Sequence, residues 1–216
     1  MPILEIHRHS SATPWTYSDL DRRQREVALK IREEDAPGVL ILSELAPVIT
    51  LGRRARAETL KLTPAEFEQK GIEILAADRG GLETYHGPGQ WVVFAVERLD
   101  RITGDPRGLK EAVCRLLHSA KEVALKYRHD AEIKEGAHLG VWSQKGKFAS
   151  LGVHLEGGVL LHGMSLNGFR TETSFLGLNP CGLDVSVDFL LENPLEFETL
   201  GQELVNSVKK HFWKLG

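Results

Sequence analysis

Residues 139–167 read LGVWSQKGKFASLGVHLEGGVLLHGMSLN. Within them, apolar stretches at 139–143, 148–155 and 159–167 are parted by Lys145-Gly146 and by Gly157-Gly158. Glycine at such a break supplies the positive φ that a tight turn needs, so the run predicts consecutive hairpins. Upstream, Val39-Leu40-Ile41-Leu42 and Val48-Ile49-Thr50-Leu51 are continuous apolar runs of strand length, the pattern of strands buried on both faces. Residues 72–75 and 91–96 add two more strands.

Helices flank these strands. Tyr17, Leu20, Val27, Ala28 and Ile31 fall on one helical face, with Ser18 as its expected cap and Pro37-Gly38 as its end. Thr63 caps a short helix ended by Gly71. The strongest periodicity spans 107–127, where Leu109, Val113, Leu116, Ala120, Val123 and Tyr127 recur every three or four residues. Asp105 is its expected cap, with Pro106 in the first turn. A last helix, 195–214, turns Leu200, Leu204, Val208 and Phe212 inward. Helices at both ends and in the middle, with hairpins between, predict one mixed α+β domain over residues 1–216, and a parallel sheet stays open because helices separate several of the strands.

Composition narrows the function. The 216 residues are 42% hydrophobic and 26% charged, too apolar for wholesale disorder. Lys plus Arg number 27 against 30 Asp plus Glu, a net charge of −3 that speaks against nucleic-acid binding by bulk charge. No apolar run reaches the 18 residues of a spanning helix, so no membrane partner is expected, and the N-terminus lacks a secretory layout. Two cysteines, Cys114 and Cys181, are too few for a disulfide framework or a four-thiolate zinc site and read as reduced cytoplasmic thiols. Cys114 lies beside the apolar stripe of the middle helix and reads as structural.

Three segments offer chemistry. Residues 79–90, RGGLETYHGPGQ, hold four glycines and a proline in twelve residues, so the backbone can approach a ligand closely or simply turn tightly. They match neither a dinucleotide fingerprint nor a phosphate loop. Cys181 sits between Pro180 and Gly182, on a bend that can present a thiol to a cleft. An ordinary thiol, near 8.5, is only about 3% thiolate at neutral pH, so a nucleophilic role requires a nearby cation. Lys147 opens an otherwise apolar strand and can serve, but Lys134 and Lys145 are equally eligible by residue type.

Together these segments resemble the lipoate-protein ligase B family, octanoyl-acyl-carrier-protein to protein octanoyltransferases. RGGLETYHGPGQ is similar to that family's RGG-x-x-TYHGPGQ signature, and Lys147-Phe148-Ala149-Ser150-Leu151-Gly152-Val153 to its Lys-Ile-Ala-Ala-Ile-Gly-Val strand. His162-Gly163-Met164-Ser165-Leu166-Asn167 resembles its His-Gly-Phe-Ala-Leu-Asn strand, Asn179-Pro180-Cys181-Gly182 its Val-Pro-Cys-Gly loop, and residues 47–52 its Pro-Val-Tyr-Thr-Leu-Gly segment. The likeness covers residues 38–185. Ser150 and Ser165 stand where the family commonly has alanine, Leu45-Ala46 replaces a His-Pro, and Ile49 replaces an aromatic.

The resemblance implies the fold of the biotin-protein ligase and lipoate ligase catalytic domains, a mixed sheet covered by helices with a groove for the acyl chain. It implies Cys181 as acyl-thioester nucleophile, Lys147 as its acid/base partner and His86 beside the reacting carbonyl. The acyl site would be lined by Arg79, Gly80, Gly81, Leu82, Glu83, Thr84, Tyr85 and His86, by Ser150, Leu151 and Gly152, and by Gly163, Met164 and Ser165. The implied donor is octanoyl-acyl-carrier protein. The implied acceptors are lipoyl domains of 2-oxoacid dehydrogenase E2 subunits and the glycine-cleavage H protein. No cofactor or metal is expected, because the thioester carries its own activation. Arg53, Arg54 and Arg56 are candidates for receiving the acidic carrier. An ATP-dependent lipoate ligase, a lipoyl or octanoyl amidotransferase of the same fold, and an inactive acyl-binding protein stay open as rivals.

Overall fold

A computed structural model describes residues 1–55, 60–178 and 186–214. Its strands are β1 (Ile3–His7), β2 (Val39–Ser43), β3 (Val48–Leu51), β4 (Glu73–Ala76), β5 (Glu83–His86), β6 (Gln90–Arg98), β7 (Glu132–Lys134), β8 (Gly140–Trp142), β9 (Lys147–Glu156) and β10 (Val159–Asn167). Its helices are α1 (Tyr17–Glu34), α2 (Pro64–Gln69), α3 (Leu99–Thr103), α4 (Leu109–Ala124) and α5 (Phe197–Phe212). Seven strands form one sheet in the order β1-β2-β6-β10-β9-β8-β7, and β4-β3-β5 form a second. In the large sheet β1 runs parallel to β2 and the other neighbours are antiparallel. The fold is α+β, and the hairpins expected between 139 and 167 are β8, β9 and β10.

The apolar run of β2 follows from its place between two helical layers. Val39 and Ile41 face α1, packing with Leu20, Val27 and Ile31, while Leu40 and Leu42 face the layer of α4 and α5 with Leu116, Leu204 and Val208. Strand alternation thus demands an apolar side chain at each of these positions. Burying each such side chain contributes roughly 1.5–3 kcal/mol. The smaller sheet has its own core, where Phe67 of α2 meets Ile49, Ile72, Tyr85 and Leu178.

Several boundaries differ from expectation for local reasons. Thr16, not Ser18, caps α1: its side chain accepts from Asp19 N, and Asp19 reaches back to Thr16 in a capping box. α4 starts at Leu109 because the Asp105 side chain is occupied in a turn, accepting from Arg107 N. The short strands β1, β5 and β7 and the one-turn helix α3 were not anticipated. Cys114 lies on α4, partly buried and with a free thiol. No helix among the described residues is long and apolar enough to cross a membrane.

Candidate active site

The segment 79–90 bridges the two sheets. Its centre is β5, paired to β3 with Glu83 opposite Leu51 and His86 opposite Val48. Its end, Gln90, opens β6 in the large sheet. Between them, Gly89 N donates to the buried Glu44 carboxylate at 2.9 Å, and Arg8 Nε donates to the other Glu44 oxygen at 2.7 Å. Arg79 is buried and wraps the small sheet, donating from Nε to Thr50 Oγ1 at 3.1 Å and from Nη2 to Thr50 O at 2.8 Å.

A cavity of about 270 Å³ lies against this segment and the large sheet. Its lining includes Arg79 to Thr84, His86, Lys147, Ser150 to Gly152 and Gly163 to Ser165, so residues from four separate sequence segments meet at one opening. Tyr85 is the exception among the expected lining residues. Strand alternation turns it into the core of the small sheet, where its hydroxyl bonds Thr173 Oγ1 at 2.7 Å and its ring packs on Phe175. Glu83 is 1% exposed, and neither carboxylate oxygen has a hydrogen-bond partner among the described residues. Arg54 also lines the cavity, and Arg53 contacts His154 at 3.3 Å. Arg56 lies outside the described residues.

Lys147 is the first residue of β9 and only 3% exposed. Its Nζ donates to Leu139 O at 2.7 Å and stands 5.5 Å from the Trp142 ring. The stem passes over Gly140, at φ +151, where an added Cβ would come within 2.4 Å of both Ala149 O and Lys147 Cε. Glycine at 140 therefore leaves room for the β9 backbone and for the lysine stem together. Cys181 lies outside the described residues, but the chain that follows it is pinned to Lys147. Lys147 N donates to Ser186 O at 2.9 Å, and Asp188 N donates to Lys147 O at 3.0 Å. Ser186 lies five positions beyond Cys181, at most about 18 Å of chain.

His86 is held by a buried amide chain that was not anticipated. Gln90 Nε2 donates to Tyr85 O at 3.3 Å and to Asn167 Oδ1 at 2.8 Å, so Gln90 Oε1 faces His86 Nδ1, at 2.7 Å, as an acceptor. This assigns the proton to Nδ1 and leaves the lone pair on Nε2. Burial, followed by the nearby Arg79 charge, pushes the His86 imidazole down to about 3, so the ring is neutral and acts as an acceptor. Asn167 Nδ2 continues the chain to Asp188 O at 3.1 Å, beside Lys147. Gln90 and Asn167 close two of the quoted motifs, which was the signal available for them.

Behind the cavity, His162 takes a left-handed backbone at φ +61 inside β10 and is fully buried. Its backbone N–H donates to Gln24 Oε1 at 2.7 Å, its Nδ1 meets the Tyr17 hydroxyl at 3.2 Å, and its Nε2 meets Asp78 Oδ1 at 2.6 Å. Burial alone would raise the Asp78 carboxyl, but hydrogen bonds from His162 and Arg25 overcome it and hold the group at about 2. One histidine thus ties α1, the start of the glycine segment and the β10 wall together. Tyr17 lines the cavity and stacks parallel to His86, with centroids 6.0 Å apart.

Residues 22–208 match the family described as the lipoyl protein ligase A/B catalytic domain. The chain belongs to that family. Among family relatives, an octanoyltransferase of Magnetococcus marinus is 38% identical over 180 residues, 83% of this chain and 78% of that protein. An octanoyltransferase of Maridesulfovibrio salexigens is 30% identical over 92% of this chain and 91% of its own length. The structure of Ta0514 of T. acidophilum, a lipoate protein ligase homologue with bound lipoic acid, superposes with a TM-score of 0.67 at 13% identity, covering 97% of this chain and 85% of that one. Biotin protein ligase from Leishmania major, in complex with biotinyl-5-AMP, superposes at 0.55 with 10% identity over 99% of this chain and 74% of its own. The shared fold of lipoate and biotin ligases is therefore the fold of this chain.

Proposed function

We propose that this chain acts as one catalytic domain, an octanoyltransferase that moves an octanoyl group from octanoyl-acyl-carrier protein to a lysine of lipoyl domains. The names of its relatives support octanoyl transfer. One observation carries the mechanism: a buried lysine at a cavity, with its backbone bonded to the segment that follows Cys181. Lipoyl domains, of E2 subunits and of the glycine-cleavage H protein, are the acceptors in this reading, and the cytoplasm is its compartment.

In the first half-reaction Cys181 gives its proton to the Lys147 amine, and the thiolate attacks the thioester carbonyl. The carbonyl–sulfur bond to the carrier's phosphopantetheine breaks, and Lys147 returns the proton to the departing sulfur. This splits one difficult transfer between two proteins into two steps through an acyl-enzyme. In the second half an acceptor amine attacks the enzyme thioester, Lys147 takes the amine proton, and the Cys181 sulfur leaves. His86 Nε2, an acceptor at neutral pH, receives a hydrogen bond from the attacking amine and orients its lone pair. The apolar lining, Val92, Phe94, Leu151, Val153 and Met164, covers the tail, each buried methylene contributing about 0.8 kcal/mol.

The test is octanoylation of a purified lipoyl domain from octanoyl-acyl-carrier protein, run with and without ATP. Transfer without ATP, abolished in Cys181→Ser, is the expected result. Strict ATP dependence would make the chain a ligase, transfer solely from acylated H protein an amidotransferase, and full activity of Cys181→Ser would remove the nucleophile.

A further inference from the structure

The cavity wall contains two hydroxyls placed as a pair. Ser165 of β10 lies directly opposite Ser150 of β9, and Ser165 also faces Val92 across β6. The next row of the same wall is Phe94, Gly163 and Gly152. All six line the cavity. Ser165 is 3% exposed and Ser150 half-buried, and neither hydroxyl bonds another side chain or backbone group among the described residues.

Directly opposed residues on antiparallel strands hold their Cβ atoms about 5 Å apart. A single oxygen placed between two such hydroxyls can bond both at ordinary O–H···O lengths of about 2.7–2.8 Å. A methylene in the same place offers the hydroxyls no bond and leaves them only each other or a water, which is less favourable than an oxygen held between them. Ser150 follows Lys147 by three residues, about 10 Å of extended strand, a span comparable to an extended eight-carbon chain. The groove closes just beyond the pair: Gly80 N donates to Val153 O at 3.1 Å, and a Cβ on Gly152 would lie 2.8 Å from Gly80 O.

We propose that Ser150 and Ser165 form a specificity site for the acyl tail, favouring medium-chain acyl groups that carry a hydroxyl near the distal end. The assignment rests on the acyl-transfer reading of the same cavity and adds a substrate class to it. An oxygenated tail places its oxygen between the two hydroxyls, while a plain octanoyl tail is accepted with the pair left to each other or to a water.

The experiment compares octanoyl-pantetheine with 7-hydroxyoctanoyl-pantetheine as donors to a lipoyl domain, in the native chain and in Ser150→Ala/Ser165→Ala. Removing two hydrogen bonds should lower the hydroxyacyl-to-acyl ratio of kcat/KM by about tenfold or more, with a lower KM for the plain donor. A ratio unchanged within about twofold overturns the proposal. Binding of free octanoate and 7-hydroxyoctanoate to Cys181→Ser, with and without the two alanines, gives a readout independent of turnover. Preference for the hydroxy acid that disappears with the alanines supports the site even if transfer fails, whereas equal binding in both backgrounds sinks it.

Discussion

His86 makes folding stability depend on pH in a way that can be worked out in advance. In the unfolded chain its imidazole titrates near 6.5, and in the folded chain at about 3. Between those values the unfolded state binds more protons, so stability rises with pH across this window. The contribution is complete above about 6.5 and is lost as pH falls towards 3. Lowering the pH from 7.5 to 5.0 goes about 1.5 units below the unfolded value, and at 1.36 kcal/mol per unit this costs about 2 kcal/mol. His86→Gln keeps a polar side chain facing Gln90 but does not titrate. Urea unfolding at the two pH values, followed by tryptophan fluorescence, measures the difference for each protein. The native chain should lose about 2 kcal/mol more than the variant over that interval. Equal losses would mean that His86 is not buried as a neutral ring, and its assignment as a hydrogen-bond acceptor at the cavity would fail.

Lys147→Met should abolish acyl transfer and shift the pH profile of Cys181 alkylation upward, and an unmoved profile would remove the lysine from the mechanism. Gly140→Ala places a methyl 2.4 Å from both the Lys147 stem and Ala149 O and shifts the start of β9, so kcat should fall at least tenfold, measured by transfer from octanoyl-acyl-carrier protein. Gln90→Leu leaves the His86 Nδ1–H and Asn167 without their partner, and should lower unfolding free energy by about 1–3 kcal/mol in urea titrations.

Much of this architecture could be read from the chain because the physics behind it is local. The four apolar residues at 39–42 announce a strand sandwiched between helices, and the Gly turns at 146 and 157–158 announce the hairpins that carry Lys147, Ser150, Gly163 and Ser165. β5 was hidden because its four residues, Glu-Thr-Tyr-His, sit between glycines and carry the polarity of a loop. They form a strand because β3 supplies the ladder and Tyr85 the apolar contact. Gln24 is polar yet buried on α1, because the backbone N–H of His162, far along the sequence, donates to its side-chain carbonyl. Asp78, Gln90 and Asn167 likewise gain meaning from partners that only tertiary structure brings near. The pairing of Lys147 with Cys181 came from the family resemblance, since lysines 134 and 145 were equally good candidates on residue type. The structure adds that the Lys147 backbone holds the chain just beyond Cys181.

The most direct measurement is a donor-only incubation with octanoyl-acyl-carrier protein, acceptor and ATP both withheld, followed by intact-mass and peptide analysis. One octanoyl group, on the Cys181 sulfur and released by neutral hydroxylamine, is the predicted result, and its chase onto a lipoyl domain should empty the enzyme. A chain that stays unmodified under these conditions, yet transfers octanoyl once the acceptor is added, would contradict the covalent route and the role given to Lys147.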